Sequence, residues 1–218
     1  MPPPRRSPVG RGLLAAAVVV TAGYAYGSLT AALPSPDDPD VFWVANLAAP
    51  FVALPFLVVS GLGHARAGLR LPLSLVLGAL TGAAMVAGFY GLHRVGRDPN
   101  ADAGQPETLA GAYGRWFSTF VLGRPGGMPW LAIGVIAGAA AGLLAWAWGT
   151  RGSRVAGVAG VAPLVLEPVA RAAAGGTGVP LAGGYPRLPG NLAIWAAEAA
   201  VGFVAVWLVL RRGPTTRA

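Results

Sequence analysis

The sequence contains no cysteine and no lysine, and it has few charged residues of any kind. The absence of cysteine excludes disulfides, thiolate catalysis and cysteine-ligated metal sites. Charged residues make up 11% of the 218 residues, whereas a soluble domain usually carries about 25%. This leaves too little polar surface for a globule in water, and it indicates a protein of the lipid bilayer.

Long apolar stretches fill most of the chain. A helix rises ~1.5 Å per residue, so about 20 apolar residues cross a hydrocarbon core of ~30 Å. Six stretches have this length: 13–33, 41–62, 71–92, 128–149, 155–174 and 191–210. The predicted fold class is therefore all-α, a single-domain bundle of six transmembrane helices over residues 11–212. Residues 1–10 are expected to form a disordered cytoplasmic tail, and residues 213–218 a second cytoplasmic tail.

Arginine placement predicts the orientation. All 16 residues counted as Lys or Arg are arginine, and they stand at the ends of the apolar stretches rather than on one soluble face. This distribution argues against nucleic-acid binding in spite of the net charge of +8. With the N-terminus inside, ten arginines lie on the inner side and six on the outer side. By the positive-inside rule, we expect a multi-pass plasma-membrane protein with both termini cytoplasmic.

The long connection after the third stretch contains one amphipathic pattern. Its apolar residues fall at helical spacing on one face: Leu109, Tyr113, Trp116, Phe117, Phe120 and Val121. Pro106 suits the first turn of this segment, and Gly123 with Pro125 ends it. We expect a short amphipathic helix on the outer membrane surface, and a lid packed on the bundle is the other interpretation.

Glycines recur four residues apart on three of the predicted helices. The sets are Gly23/Gly27, Gly78/Gly82 and Gly134/Gly138/Gly142. This spacing lets two helix backbones approach closely in lipid. These faces are expected to pack helices together, and they also offer a contact for a membrane-protein partner or for a homo-oligomer.

A short internal similarity links the second and fifth stretches. Residues 49–55 and 162–168 both begin with Ala-Pro and carry a second proline five residues after the first. Two halves of three helices have opposite orientations, so a true repeat would be a 3+3 inverted repeat, a plan known in transporters. The alternative is that these prolines merely kink two helices.

Two glutamates lie inside apolar stretches. Placing a carboxylate in the hydrocarbon region is energetically unfavourable, so it is expected to face protein or a water-filled cavity. Glu167 and Glu198 are both predicted in the outer half of the membrane, and Arg171 follows Glu167 at i+4. Three further polar residues are predicted at a similar level, which makes the candidate intramembrane site Glu167, Arg171, Glu198, Asn46, Tyr24 and His93. One interpretation is a buried ion pair that joins helices five and six. The other is a site where Glu198 binds a cation or exchanges a proton.

No pattern of catalytic, metal-binding or cofactor-binding residues was found, so the expected protein is not an enzyme and needs no cofactor. The two histidines, His64 and His93, fall on opposite predicted sides and cannot share a metal ion. Gly175-Gly176-Thr177-Gly178 lacks the strand context of a phosphate-binding loop.

The chain resembles the small, uncharacterised six-helix integral membrane proteins of GC-rich Gram-positive bacteria. The resemblance rests on its length, its all-arginine helix ends, the Ala-Ala-Pro run at residues 48–50 and the Glu-Pro-x-x-Arg run at residues 167–171. It covers most of residues 12–210 and implies no activity. We therefore expect an accessory or assembly subunit without chemistry of its own. The alternative is a small permease or transporter subunit that uses the buried carboxylates.

Overall fold

The computed structural model describes residues 8–33, 49–65, 69–90, 111, 114, 117–123, 129–173 and 192–211. Within these ranges the chain is helical and contains no strand. The described α-helices are, in chain order, α1 (Pro8–Ala32), α2 (Pro50–Ala65), α3 (Leu71–Tyr90), α4 (Trp130–Arg151), α5 (Arg154–Val161), α6 (Pro163–Ala173) and α7 (Leu192–Arg211). The all-α fold class is confirmed.

Three segments are long and apolar enough to cross a membrane: Gly12–Ala32 in α1, Leu71–Tyr90 in α3 and Trp130–Arg151 in α4. Segment Pro50–Gly63 of α2 is also apolar but shorter. The first, third and fourth predicted spans therefore correspond to long apolar helices. Six crossings and an inverted repeat stay predictions.

Two predicted boundaries differ from the structure. Helix α1 begins at Pro8, so residues 8–10 are helical rather than part of the expected disordered tail; proline is well tolerated in a first helical turn because its missing N–H has no partner there. The predicted fifth span is not one helix but two, α5 and α6, which meet at Ala162. Pro163 causes this break because it has no N–H to donate and its ring crowds the preceding turn.

Helices α1, α3 and α4 pack through their glycines. The backbones of Gly23 and Gly27 in α1 lie directly against the backbone of α3 around Thr81 and Met85. In the same way, Gly78 and Gly82 of α3 lie against the α4 glycines. The predicted glycine faces thus make close helix contacts inside the chain. A contact with a second copy through these same faces would need this packing to open.

The order of these contacts gives the helix directions. Gly23 meets Thr81 while Gly27 meets Met85, so α1 and α3 run parallel. Gly82 meets Gly134, whereas Gly142 meets Ser74, so α3 and α4 run antiparallel. The first residues of α1 and α3 therefore lie at the same end of the bundle as the last residues of α4.

Helix α5 leaves α4 through a two-residue turn. Gly152 adopts a left-handed conformation with φ of 64°, and Ser153 N–H donates to the Ala147 carbonyl at 3.2 Å. The Ser153 hydroxyl then accepts from Ala156 N–H at 3.2 Å and caps α5. The turn keeps the start of α5 next to the end of α4.

Helices α2, α5, α6 and α7 complete the described part of the bundle. The ring of Phe56 in α2 lies against Gly160 of α5, and it packs on Trp148 of α4 at a centroid distance of 5.7 Å. Gly157 of α5 lies against Val209 at the end of α7. The end of α7 is therefore at the same end of the bundle as the α4–α5 turn.

The predicted amphipathic helix is described only in part. Gly111 and Gly114 are helical, and Phe117–Val121 forms a π-helical turn in which Leu122 N–H donates to the Phe117 carbonyl at 3.0 Å. Gly123 ends it with φ of 68°, at the residue where the sequence predicted a stop. The turn packs beside α4. Leu109, Tyr113 and Trp116 lie outside the described residues.

Large apolar side chains cover the outside of the described helices. Ile136 of α4 is 69% exposed and Phe203 of α7 is 63% exposed. Exposed apolar residues also follow α1 from Leu13 to Leu29. Contiguous apolar surface of this kind is unfavourable in water and suits contact with lipid.

Candidate polar site at the α2–α6–α7 contact

Glu167 of α6 reaches across to the first turn of α2. Its Oε2 accepts a hydrogen bond from the backbone N–H of Ala49 at 2.6 Å, between residues 118 positions apart in the chain. A hydrogen bond from a backbone N–H to a carboxylate is charge-assisted and stronger than a neutral one. Glu167 is therefore a tie between two helices and not only a polar residue on one of them.

The start of α2 has a particular need for this acceptor. The Ala49 carbonyl already accepts from Val52 and Ala53 N–H at 3.1 and 2.9 Å, which makes Ala49 the capping residue of α2. Pro50, the first residue of α2, has no N–H to donate. The donor that faces Glu167 at this helix end is therefore the N–H of Ala49. A helix N-terminus carries a partial positive charge, and a carboxylate is stabilised there. Ala49 is only 2% exposed, so water is a poor substitute.

Glu198 of α7 is buried, with 9% of its surface exposed. It lies one helical turn before Gly202, on the same face of α7. Gly202 packs against Leu164 and Val165 of α6, so this face of α7 is turned toward α6. Glu198 therefore lies on the face of α7 that meets α6, the helix that carries Glu167.

Tyr26 of α1 lies in the same region of the bundle as the two carboxylates. Both Glu198 and Glu167 are close enough to act electrostatically on its phenol. The sequence predicts Tyr24 in the site instead, but Tyr24 is 43% exposed. Residues two positions apart on a helix are separated by ~200°, so Tyr24 and Tyr26 point to opposite sides. The sequence did carry a signal for Tyr26, because it continues the buried stripe of Ala15, Val19 and Gly23 at helical spacing.

The three side chains share one level of the bundle. Glu167 follows Arg154 by 13 residues, and Glu198 precedes Arg211 by the same number. Glu198 is therefore ~20 Å along α7 from Arg211, and Glu167 is up to ~20 Å along α5 and α6 from Arg154, at the same end of the bundle. Tyr26 stands 15 residues after Arg11, which places it ~22 Å from that end.

The other predicted site residues are not brought into this group by the described contacts. Arg171 is one turn beyond Glu167 in α6, but the placement of its side chain is not described. Asn46 and His93 lie outside the described residues. Among the residues that the structure describes, no three His, Asp or Glu side chains gather as metal ligands. The assembled site is thus Glu167, Glu198 and Tyr26.

Two carboxylates and a phenol on three helices have two chemical uses. As hydrogen-bond acceptors and donors they fix how α1, α2, α6 and α7 meet, which the Ala49–Glu167 bond already does. As titratable groups they can also bind or transfer a proton, or bind a cation. Comparison of the chain with protein-family models, with curated proteins and with solved structures gives no match. The resemblance to six-helix bacterial membrane proteins stays a prediction.

Proposed function

We propose that this chain is a multi-pass integral membrane protein without catalytic chemistry of its own, acting as an accessory or assembly subunit. The observation that carries the proposal is the hydrogen bond from Ala49 N–H to Glu167 Oε2. It gives one of the two glutamates in the apolar stretches a structural task, the capping of a buried helix end. A carboxylate occupied in this way needs no substrate to explain its presence.

In the proposed topology the chain crosses the membrane six times, with α5 and α6 forming one broken crossing. The parallel α1–α3 pair and the antiparallel α3–α4 pair support alternating directions. The exposed arginines Arg70, Arg151, Arg154 and Arg211 stand at helix ends that share one side of the bundle, which supports a cytoplasmic location for that side and for both termini.

The topology has a direct test because the chain has no native cysteine. Single variants Ser7→Cys and Thr215→Cys place a thiol in each tail, and Thr177→Cys places one between α6 and α7. In intact cells, a membrane-impermeant maleimide is expected to label only Thr177→Cys. Labelling of either tail before lysis contradicts the proposed orientation.

A second candidate function, a small permease or transporter subunit, is favoured by one observation. Buried Glu198 shares its surroundings with Glu167 and Tyr26, and such intramembrane acids mark ion and proton pathways in transporters. In this alternative Glu198 carries the proton or cation and Glu167 holds the helix that faces it.

Flux through liposomes separates the two functions. The purified protein is reconstituted with a pH-sensitive or sodium-sensitive dye inside, and an ion gradient is applied. The accessory-subunit proposal expects the flux of protein-free liposomes for both the parent chain and Glu198→Gln. A flux in the parent chain that Glu198→Gln abolishes, with folded protein retained in the membrane, overturns the proposal in favour of the transporter.

A further inference from the structure

Helices α6 and α7 are attached to each other more closely than to the rest of the described bundle. Each of the two packs on the other more than on any other described helix. Gly202 of α7 lies against Leu164 and Val165 of α6 with no room for a methyl group, so this contact holds the two helices together. We call α6 and the part of α7 before Val209 the α6–α7 arm.

The arm joins α5 at two points. The first is Ala162, because the next residue, Pro163, has no N–H to continue the hydrogen bonds of α5 into α6. Proline is a common cause of a sharp kink in a helix. The second point is the contact between Gly157 of α5 and Val209 of α7. The two points are five residues apart in α5, which is ~8 Å, so both helices of the arm have a pivot at nearly the same level.

The arm meets α2 through small side chains and one hydrogen bond. Ala49 and Ala53 of α2 form a small buried cluster with Leu164 of α6. No glycine in the described ranges brings the α2 and α6 backbones into contact, in contrast to the α3–α4 contact. The strongest polar link is the charge-assisted hydrogen bond from Ala49 N–H to Glu167 Oε2. One pair of atoms can separate and rejoin without any change inside either helix.

We propose that the α6–α7 arm swings on α5 about Ala162 and Gly157, and that the Ala49–Glu167 hydrogen bond is the latch that keeps it closed. The arm carries Glu167 and Glu198, whereas Tyr26 belongs to α1. Opening therefore separates the phenol from both carboxylates, and it exposes Glu198, which is buried in the closed arrangement. Rocking of one helix group against another is a known motion of transporters with interrupted helices. The swing itself needs no transported ion, so it goes beyond the proposed function and does not depend on it.

Distances between two spin labels measure this motion, and the chain has no native cysteine to compete for the label. The arm pair is Leu29→Cys with Ala196→Cys, at exposed positions of α1 and α7. The reference pair is Leu13→Cys with Val155→Cys, at exposed positions of α1 and α5 that do not belong to the arm. Double electron–electron resonance is recorded on the full chain in lipid nanodiscs. A rotation of ~20°, as at a proline kink, moves Ala196 by ~7 Å, since it stands ~20 Å along α7 from Val209.

Removal of the latch by Glu167→Leu is expected to add a population in which the arm-pair distance is longer by up to ~7 Å. The loss of a hydrogen bond to a charged group is expected to raise the ratio of open to closed chains on the order of tenfold. Glu167→Gln keeps an oxygen acceptor and is expected to open less, and the reference pair is expected to keep its distance in both variants. An arm-pair distribution that Glu167→Leu leaves unchanged overturns the proposal. An equal change in both pairs also overturns it, because the whole bundle would then have loosened.

Pro163→Ala tests the hinge, because it returns an N–H to the joint between α5 and α6. Combined with Glu167→Leu, it is expected to bring the ratio of open to closed chains back to within about twofold of the parent chain. Opening that persists at its full level in the double variant overturns the pivot at Ala162. If Glu167→Leu does not fold, Pro163→Ala alone keeps the test valid, since it leaves the latch in place. We then expect an arm-pair distribution narrower than in the parent chain, and one that is equally broad or broader overturns the proposal.

Discussion

Helices α1, α3 and α4 are joined differently from helices α2, α5, α6 and α7. In the first group, glycine backbones lie directly against other backbones, as Gly138 does against Gly78. In the second group, a carboxylate ties two helices, and the glycines meet mostly side chains. Lipid offers no hydrophobic drive for helix association, so close packing and polar contacts are the two available means. This chain uses one of them in each group.

Close backbone packing and polar contacts also respond differently to mutation. A backbone cannot move away from a new methyl group without shifting a whole helix, whereas the end of a side chain can rotate. A polar tie, in turn, depends on one pair of atoms. The comparison therefore predicts a graded set of stability losses, measured as the free energy of unfolding in mixed detergent micelles.

The largest loss is expected for Gly138→Ala. A methyl group at this position collides with the backbone of Gly78 and Ala79, and overpacking of this kind costs about 3 kcal/mol. Gly149→Ala in the same helix is the matched control, because nothing lies within 4 Å of its added methyl group. The control is expected to be neutral or up to ~1 kcal/mol more stable. Similar losses in both variants contradict the close α3–α4 contact.

Replacing Glu167 is expected to have the next largest effect. Glu167→Leu leaves the buried Ala49 N–H without its acceptor, and a hydrogen bond to a charged group contributes about 1.5–3 kcal/mol. Glu167→Gln keeps an oxygen acceptor and is expected to lose less than half as much. If the two variants are equally unstable, the hydrogen bond is not what Glu167 contributes.

A smaller loss is expected for Gly157→Ala. Its added methyl group meets Val209 Cγ1 at 2.5 Å and Trp148 Cδ1 at 2.6 Å, and both are side-chain rather than backbone atoms. We expect a loss of about 1 kcal/mol. A loss as large as that of Gly138→Ala would show that the second group is packed as rigidly as the first.

The smallest loss is expected at the turn between the two groups. Ser153→Ala removes the cap of α5, which typically costs ~1 kcal/mol or less at an accessible helix end. Thr150→Ala is the control, since its hydroxyl donates to the Trp146 carbonyl within the same helix and is exposed. The control is expected to stay within about 0.5 kcal/mol of the parent chain.

Local sequence patterns predicted the first group of helices well. Glycines four residues apart identify a face by themselves, and Gly78, Gly82 and Gly138 lie in the contacts that this spacing indicates. The all-helical fold follows in the same way from the length of the apolar stretches. In both cases the deciding information lies within one helix.

The second group depends on information that no single helix contains. The Ala49–Glu167 bond joins residues from different halves of the chain, and nothing near either residue specifies the other. The prediction of Tyr24 rather than Tyr26 was wrong for a different reason. Predicted depth in the membrane does not separate these two residues, whereas the buried stripe of α1 does. The paired Ala-Pro segments show a similar limit. Both begin a helix in the same way, with Ala49 and Ala162 carbonyls each accepting two N–H groups. The Ala49 N–H donates to a side chain far along the chain, that of Glu167, whereas the Ala162 N–H donates to the nearby Val158 carbonyl.

The break at Ala162 has a consequence for how the protein meets membranes of different thickness. Helix α5 has 8 residues and α6 has 11, lengths of ~12 and ~17 Å that are each too short for a bilayer. In the proposed topology they cross together, end to end, and the joint between them lacks the N–H of Pro163. A straight helix adapts to a thinner bilayer by tilting as a rod. In the proposed topology the crossing formed by α5 and α6 is interrupted at Ala162 instead, and α6 carries Glu167.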